Sequence, residues 1–309
     1  MRFVFVKELI KKAKRNKNIY LLTSDLGYRA FEEFKKLFPD RFINVGVAEN
    51  NMIGVATGLA LSGKKVFVYS ILPFLVFRSF EQIRNNVCHN NLDIKLIGAG
   101  GGFSYGYQGV SHNTSEDISV LKSLPNLTIY NPGSRTEVEL IMKEMFRSKS
   151  PCIARLGKCP NEDFYRGKPV LKKNEGLTLK KGVDLTIFTT GNILENVFKT
   201  VTLLERDKYK INLISCPVIK PLAENFIIRN IKTKKIICVE ENSEINGLGY
   251  FISNSIVKNK FSSVSYKSIS LKDIVHNKIG TQEYLRDLNN LSVQKLYYKI
   301  KKFIKLKKR

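Results

Sequence analysis

The stretch "FINVGVAENNMIGVATGLAL", residues 42–61, joins a short apolar run to a longer one, and a single carboxylate, Glu49, stands at the junction. With its neighbours the first run, "RFINVGVA", reads as a strand, and "NNMIGVATGLALSG" reads as a helix that ends at Gly63. The same alternation extends outward from this unit. "NIYLLTSD" (strand) and "AFEEFKKLF" (helix) precede it. After it come "KKVFVYSI" (strand), "SFEQIRNNVCHNN" (helix), "DIKLIGAG" (strand), "EDISVLKSL" (helix), "LTIYNPG" (strand), "RTEVELIMKEMFRS" (helix) and "PCIARLG" (strand). Strands that are apolar throughout, with helices between them, predict parallel sheets covered on both faces.

Residues 161–182 are polar, charged and rich in turn formers, and are read as a linker. A second alternating set follows, with "DLTIFTTG", "LENVFKTVTLLERD", "INLISCPVI", "KKIICVEENS" and "FISNSIVKN". The expectation is α/β, with two parallel-sheet domains: residues 1–160, and residues 183–309 including a basic tail. A chain of 309 residues fits two domains of about 100–200 residues each. In the tail "KLYYKIKKFIKLKKR", Leu296, Ile300, Phe303 and Ile304 recur at helical intervals against lysines. That pattern would suit a partner or an anionic membrane; the expectation is a solvated end.

The net charge of +25 raises the classes of nucleic acid, anionic membrane and phosphorylated small molecule. The lysines are spread along the chain, with runs only at Lys11–Lys17 and in the last eleven residues. There is no stacking-rich basic groove or nucleic-acid motif, so no nucleic-acid partner is expected. Five cysteines without a CxxC pair fit a reducing, cytoplasmic compartment. No apolar run reaches the ~18 residues of a membrane span, and the N-terminal stretch is too short for a signal peptide. "GAGGG" (98–102) lacks the GxGxxG spacing of a dinucleotide site.

In open parallel sheets ligands sit beyond the carboxyl ends of strands, where Glu49 falls. An acid is also favoured at a helix start by the backbone dipole alone. Further stretches favour a ligand: "TSDL" (23–26), "VGVAENNM" (45–52), "ILPFLVFRSFEQIRNN" (71–86), "GFSYGYQGVSHNTSEDISVLKSLPNL" (102–127) and "TEVELIMKEMFRSKSPCIARLGK" (136–158). In this order and spacing the chain resembles the C-terminal half of transketolase over residues 15–309, a pyrimidine-binding domain followed by that family's C-terminal domain.

The resemblance implies thiamine diphosphate as cofactor. It gives Glu49 the role of donating a hydrogen bond to a ring nitrogen of the aminopyrimidine, for which the carboxyl must hold its proton. Val45, Val47, Met52 and Ile53 supply an apolar neighbourhood. Phe74 matches the aromatic that stacks on the aminopyrimidine, with Phe77 beside it and Ile71 in place of an upstream aromatic. Asp25 and Leu26 match pocket-lining residues. His112 matches a histidine that faces the reacting carbons, where it would bond substrate oxygens or carry protons. Arg78 corresponds to a substrate-contacting arginine of the deoxyxylulose-phosphate synthases, and Lys158 takes the place of a phosphate-binding arginine, with Arg155 near it. Glu116 and Asp117 open a helix, where acids are expected in any case. Gly247 and Gly249 are read as turn glycines.

Two departures point to an unusual sugar. Gln108 stands where ordinary transketolases have an aspartate in a "GEDG" turn, and Gly100 stands near a missing histidine. The diphosphate of the cofactor needs Mg²⁺, whose "GDG…N" ligand segment is absent from these residues. The resemblance therefore implies a separate diphosphate-binding subunit that supplies the metal ligands, in an α2β2 assembly acting on sugar phosphates or a modified sugar. The alternatives are an E1 β subunit of a 2-oxo acid dehydrogenase and a non-catalytic basic binding protein.

Overall fold

The computed structural model describes residues 1–158, 163–165 and 167–306. The first half lays down α1 (Arg2–Ala13), β1 (Ile19–Thr23), α2 (Glu32–Leu37), β2 (Phe42–Asn44), α3 (Glu49–Leu61), β3 (Lys65–Ile71) and α4 (Leu72–Phe77). It continues with α5 (Phe80–Gln82), a π-helical turn, β4 (Ile94–Ala99), α6 (Asp117–Leu121), β5 (Thr128–Tyr130), α7 (Arg135–Arg147) and β6 (Cys152–Leu156). Its six strands run parallel. Leu22, Val68 and Leu96 bury one face, and Leu21, Phe67 and Ile97 bury the other. That two-sided cover is why the strands read as unbroken apolar runs.

The second half contains β7 (Leu177–Lys180), β8 (Leu185–Thr190), α8 (Leu194–Arg206), β9 (Ile211–Ser215), β10 (Val218–Lys220), α9 (Glu224–Asn230), β11 (Lys235–Ser243), α10 (Leu248–Lys258), β12 (Ser265–Leu271), α11 (Gln282–Leu288) and α12 (Val293–Lys305). Five strands form its sheet in the order β12-β11-β8-β9-β7, parallel except for the β7 edge. Both halves are thus α/β, as their alternation predicts.

Three elements differ from the expectation. "INLISCPVI" is two strands. Pro217, without an N–H, cannot extend the ladder, and the chain crosses to the first sheet, where β10 pairs antiparallel with β5. Within the segment read as a linker, Leu177–Lys180 is the edge strand β7, Leu171 is buried, and Tyr165 donates a hydrogen bond to buried Glu137. The basic tail is no solvated end through residue 305. It is α12, which buries Leu296, Ile300 and Phe303 in a core shared with Val197 and Val201 of α8. Its apolar stripe is used internally, and the lysines cover the opposite face. The tail's residues 307–309, Cys159 and linker residues 161, 162 and 166 lie outside the described residues. The other four cysteines are buried and free. No described helix is long and apolar enough to cross a membrane.

Gly247 and Gly249 are close-approach positions rather than left-handed turns. Gly247 has φ −74°, and a Cβ there would come within 2.5 Å of the Glu240 carboxylate. Glu240 accepts the backbone N–H groups of Leu248 (2.9 Å) and Gly249 (2.8 Å) at the head of α10. Burial pushes its carboxyl up to about 7, the two N–H donors opposing part of that rise. A folded-state value above the unfolded one means that the native state holds the proton longer. Stability should therefore fall as pH rises from about 4.5 to about 7 and level off above, by about 3 kcal/mol from this group. Glu240→Gln should flatten that slope in urea titrations run between pH 5 and 8; an unchanged slope would refute the assignment.

Candidate functional site

Glu49 is the first residue of α3 and is 3% exposed. The helix buries Met52, Ile53 and Ala56 against the first sheet, which fixes its head beyond the ends of β1 and β3. Thr23 pairs with Tyr69 in those strands, so Ser24 and Ser70 emerge together one step further on. Both hydroxyls lie within donating distance of Glu49 Oε1, at 3.2 Å, and the two serine oxygens are 3.0 Å apart. Sequence reasoning missed both serines. The signal was present in two runs, "YLLTS" and "VFVYS", that each end in a hydroxyl, but the register that joins them is a property of the sheet.

The other carboxylate oxygen faces α4. Arg78 Nη1 donates to Glu49 Oε2 at 3.2 Å, and the guanidinium lies 4.0 Å from the centroid of the Phe74 ring. Pro73 at the start of α4 preorganises the short helix that carries Phe74. Phe74 meets the His112 ring edge-on, with centroids 4.9 Å apart and planes at 71°. Burial first and the Arg78 charge second hold the His112 imidazole below its ordinary range, so it is neutral at physiological pH. Ser111 Oγ lies 2.9 Å from His112 Nδ1. Glu49, Arg78, Phe74 and His112 thus form one continuous chain of contacts.

The remaining predicted residues lie around this line. Asp25 is exposed, with φ 55°, and exchanges hydrogen bonds with Asn44. It lines a cleft of about 440 Å³ with half-buried Leu26, exposed Tyr28 and buried Phe31; Glu49 is not among the lining residues. Phe77 is 40% exposed at the end of α4. Gln108 is exposed in the short helical turn Gly106–Gln108, which precedes His112. At Gly100, φ is +84° and a Cβ would fall 2.5 Å from the Tyr105 ring, which fills the space that a side chain at this position would enter. Lys158 is exposed just past β6.

Arg155 is not free for phosphate. It is 4% exposed and donates to Asp117 from Nε (2.9 Å) and Nη2 (3.2 Å), and Nη2 also reaches the Thr114 and Glu241 carbonyls. Asp117 is correspondingly more than an acid at a helix start: it is buried and compensates that charge. Beside it Glu241 accepts from Phe103 N (2.7 Å), Gln282 Nε2 (3.2 Å) and Arg286 Nε (2.8 Å), tying the loop before His112 to α11.

The other buried acids among the described residues, Asp117, Glu137, Glu240 and Glu241, are held by backbone N–H groups, the half-buried Tyr165 phenol or buried arginines. Glu49 differs in that a half-exposed arginine covers one of its oxygens, with an aromatic face alongside. A buried acid edge near a ring face can take a flat ligand that stacks on the ring and hydrogen-bonds the carboxylate. Among the described residues no group of three or more His, Cys, Asp or Glu could hold a metal ion.

Both halves of the chain match known families. The family model "Transketolase, pyrimidine binding domain" matches residues 1–159, and "Transketolase, C-terminal domain" matches residues 174–285. Among similar proteins is one of the subunits of an apulose-4-phosphate transketolase of Phocaeicola vulgatus, 31% identical over 82% of this chain and 83% of its own. Another is a 6-deoxy-6-sulfo-D-fructose transketolase subunit of Clostridium sp., 27% identical over 96% and 92% of the two chains. A solved structure described as "Split gene transketolase, inactive beta4 tetramer" superposes with a TM-score of 0.86 at 25% identity, covering 99% of this chain and 98% of that one. The Campylobacter jejuni transketolase shares the fold with a TM-score of 0.77 at 17% identity, and this chain spans 46% of it.

Proposed function

The chain belongs to the transketolase family, and from that premise we propose that it is the pyrimidine-binding subunit of a split, thiamine-diphosphate-dependent transketolase that moves a two-carbon ketol unit between sugars. The observation that carries this reading is the buried Glu49 carboxylate at the head of α3, paired with the half-exposed Arg78 guanidinium that also lies over the Phe74 ring. Bound thiamine diphosphate supplies a centre that stabilises a carbanion. On this chain, Glu49 would hold a proton against a ring nitrogen of the aminopyrimidine, and Ser24 and Ser70 would fix the carboxyl orientation through Oε1. Phe74 would offer a stacking face, with Phe77, Asp25 and Leu26 at the margins. His112, neutral at pH 7, would take a proton from a substrate hydroxyl and return it.

The relatives named as subunits support a partner chain, which we propose provides the diphosphate-binding domain and the Mg²⁺ ligands in an α2β2 assembly. Val47, 74% exposed two residues before Glu49, and Tyr28, 79% exposed beside Asp25, are apolar surface that such a partner would cover. The substrate class is an anionic or otherwise modified ketose. Arg78 and Lys158 would meet its charge, and the neutral amide of Gln108 would take a hydroxyl. The relatives named as transketolase subunits favour ketol transfer over the decarboxylation of an E1 β subunit.

Mixed with a diphosphate-binding subunit, thiamine diphosphate and Mg²⁺, the chain should form a heterotetramer by light scattering and transfer ketol units from a ketose phosphate to an aldose. Neither chain alone should do so. Carbon dioxide release from pyruvate without ketol transfer would overturn this reading in favour of a decarboxylase.

A further inference from the structure

Arg78 makes, at the same time, the two contacts that an aminopyrimidine would need. Its guanidinium is planar and delocalised, a shape that stacks on aromatic faces and pairs with carboxylates along an edge. Here it lies 4.0 Å from the Phe74 centroid while Nη1 donates to Glu49 Oε2 at 3.2 Å. Two flat groups cannot share one ring face and one carboxylate oxygen. The two ends of the pair differ in freedom: the Glu49 side chain is 3% exposed and anchored at Oε1 by two serines, whereas the Arg78 side chain is 49% exposed. When a competitor arrives, Arg78 is the member that moves.

We infer that Arg78 is an internal placeholder for the aminopyrimidine: it is displaced when the cofactor enters, and its released charge then meets the anionic group of the substrate. This rests on reading Glu49 and Phe74 as the pyrimidine site. The handover orders the cycle, because the cation that recognises the substrate stays engaged until the cofactor is in place. It also keeps the buried acid compensated before the assembly is loaded, since a carboxylate left alone at that depth is costly.

The test is titration calorimetry of the assembled two-subunit enzyme with thiamine diphosphate and Mg²⁺, comparing the wild type with Arg78→Gln and Arg78→Lys, each shown to be folded and assembled at the assay temperature. Arg78→Gln, which keeps neither the charge nor the guanidinium plane, should bind the cofactor about tenfold more tightly. Arg78→Lys should fall between, keeping the charge without the plane. In steady-state assays KM for an anionic ketose should rise about tenfold in Arg78→Gln, so one substitution moves cofactor and substrate affinity in opposite directions. Equal or weaker cofactor binding in Arg78→Gln overturns the placeholder while leaving the cofactor site in place, and an unchanged KM overturns the handover. Failure of both wild type and variant to bind the cofactor overturns the pyrimidine site itself and this inference with it.

Discussion

Glu49→Gln, assayed in the assembled enzyme, is expected to lower kcat by about 10²–10⁴-fold, the usual worth of a positioned proton donor. The substitution is nearly isosteric, and the amide oxygen still accepts from Ser24 and Ser70, so melting should move little. What changes is the other end. In the unloaded chain an amide N–H₂ would point at the Arg78 guanidinium, donor against donor, where the carboxylate accepts at 3.2 Å, and in the loaded enzyme it would face the cofactor ring instead. A glutamine also presents a fixed donor that cannot pass a proton to the ring nitrogen and recover it. Turnover within a few-fold of the wild type would remove Glu49 from the chemistry, whatever the cofactor affinity.

The second large effect is on stability. Glu241→Ala should destabilise the chain by about 3–5 kcal/mol, because it strands a buried charge rather than merely deleting a contact. Arg286 is 4% exposed and both its Nε and Nη2 donate to Glu241, while Phe103 N and Gln282 lose their acceptor as well. Denaturant unfolding measures the loss; a change below about 1 kcal/mol would mean that water replaces the carboxylate at this depth. Since the same carboxylate holds the loop before His112, the variant should also lose substrate affinity when assayed under conditions that keep it folded.

The six parallel strands of the first sheet, β8, β9 and β11 of the second, and the place of Glu49 were legible because continuous apolar runs and a polar residue at a strand-to-helix junction are local signals; β7, β10 and β12 were not. Ser24, Ser70 and the Asp117–Arg155 pair were not, since each depends on which distant segments the sheet sets side by side. Arg155 shows the hazard: its neighbourhood in the chain suggested a phosphate ligand, and folding spends it on a buried aspartate 38 residues away. The fate of α12 was hidden for a related reason. An amphipathic lysine-rich helix has the same pattern whether its stripe meets solvent-borne partners or its own domain, and only the open flank of α8 decides between them.

The excursion of β10 has a practical corollary for anyone who dissects this polypeptide. A fragment ending near residue 158 would look like a self-sufficient module, yet it would lack the antiparallel ribbon that seals the flank of β5. Its naked hydrogen-bonding rim would recruit neighbouring molecules, so the truncation should precipitate or fibrillate rather than behave as a free-standing unit. Supplying residues 214–222 in tandem, through a flexible tether, is the remedy that this topology prescribes.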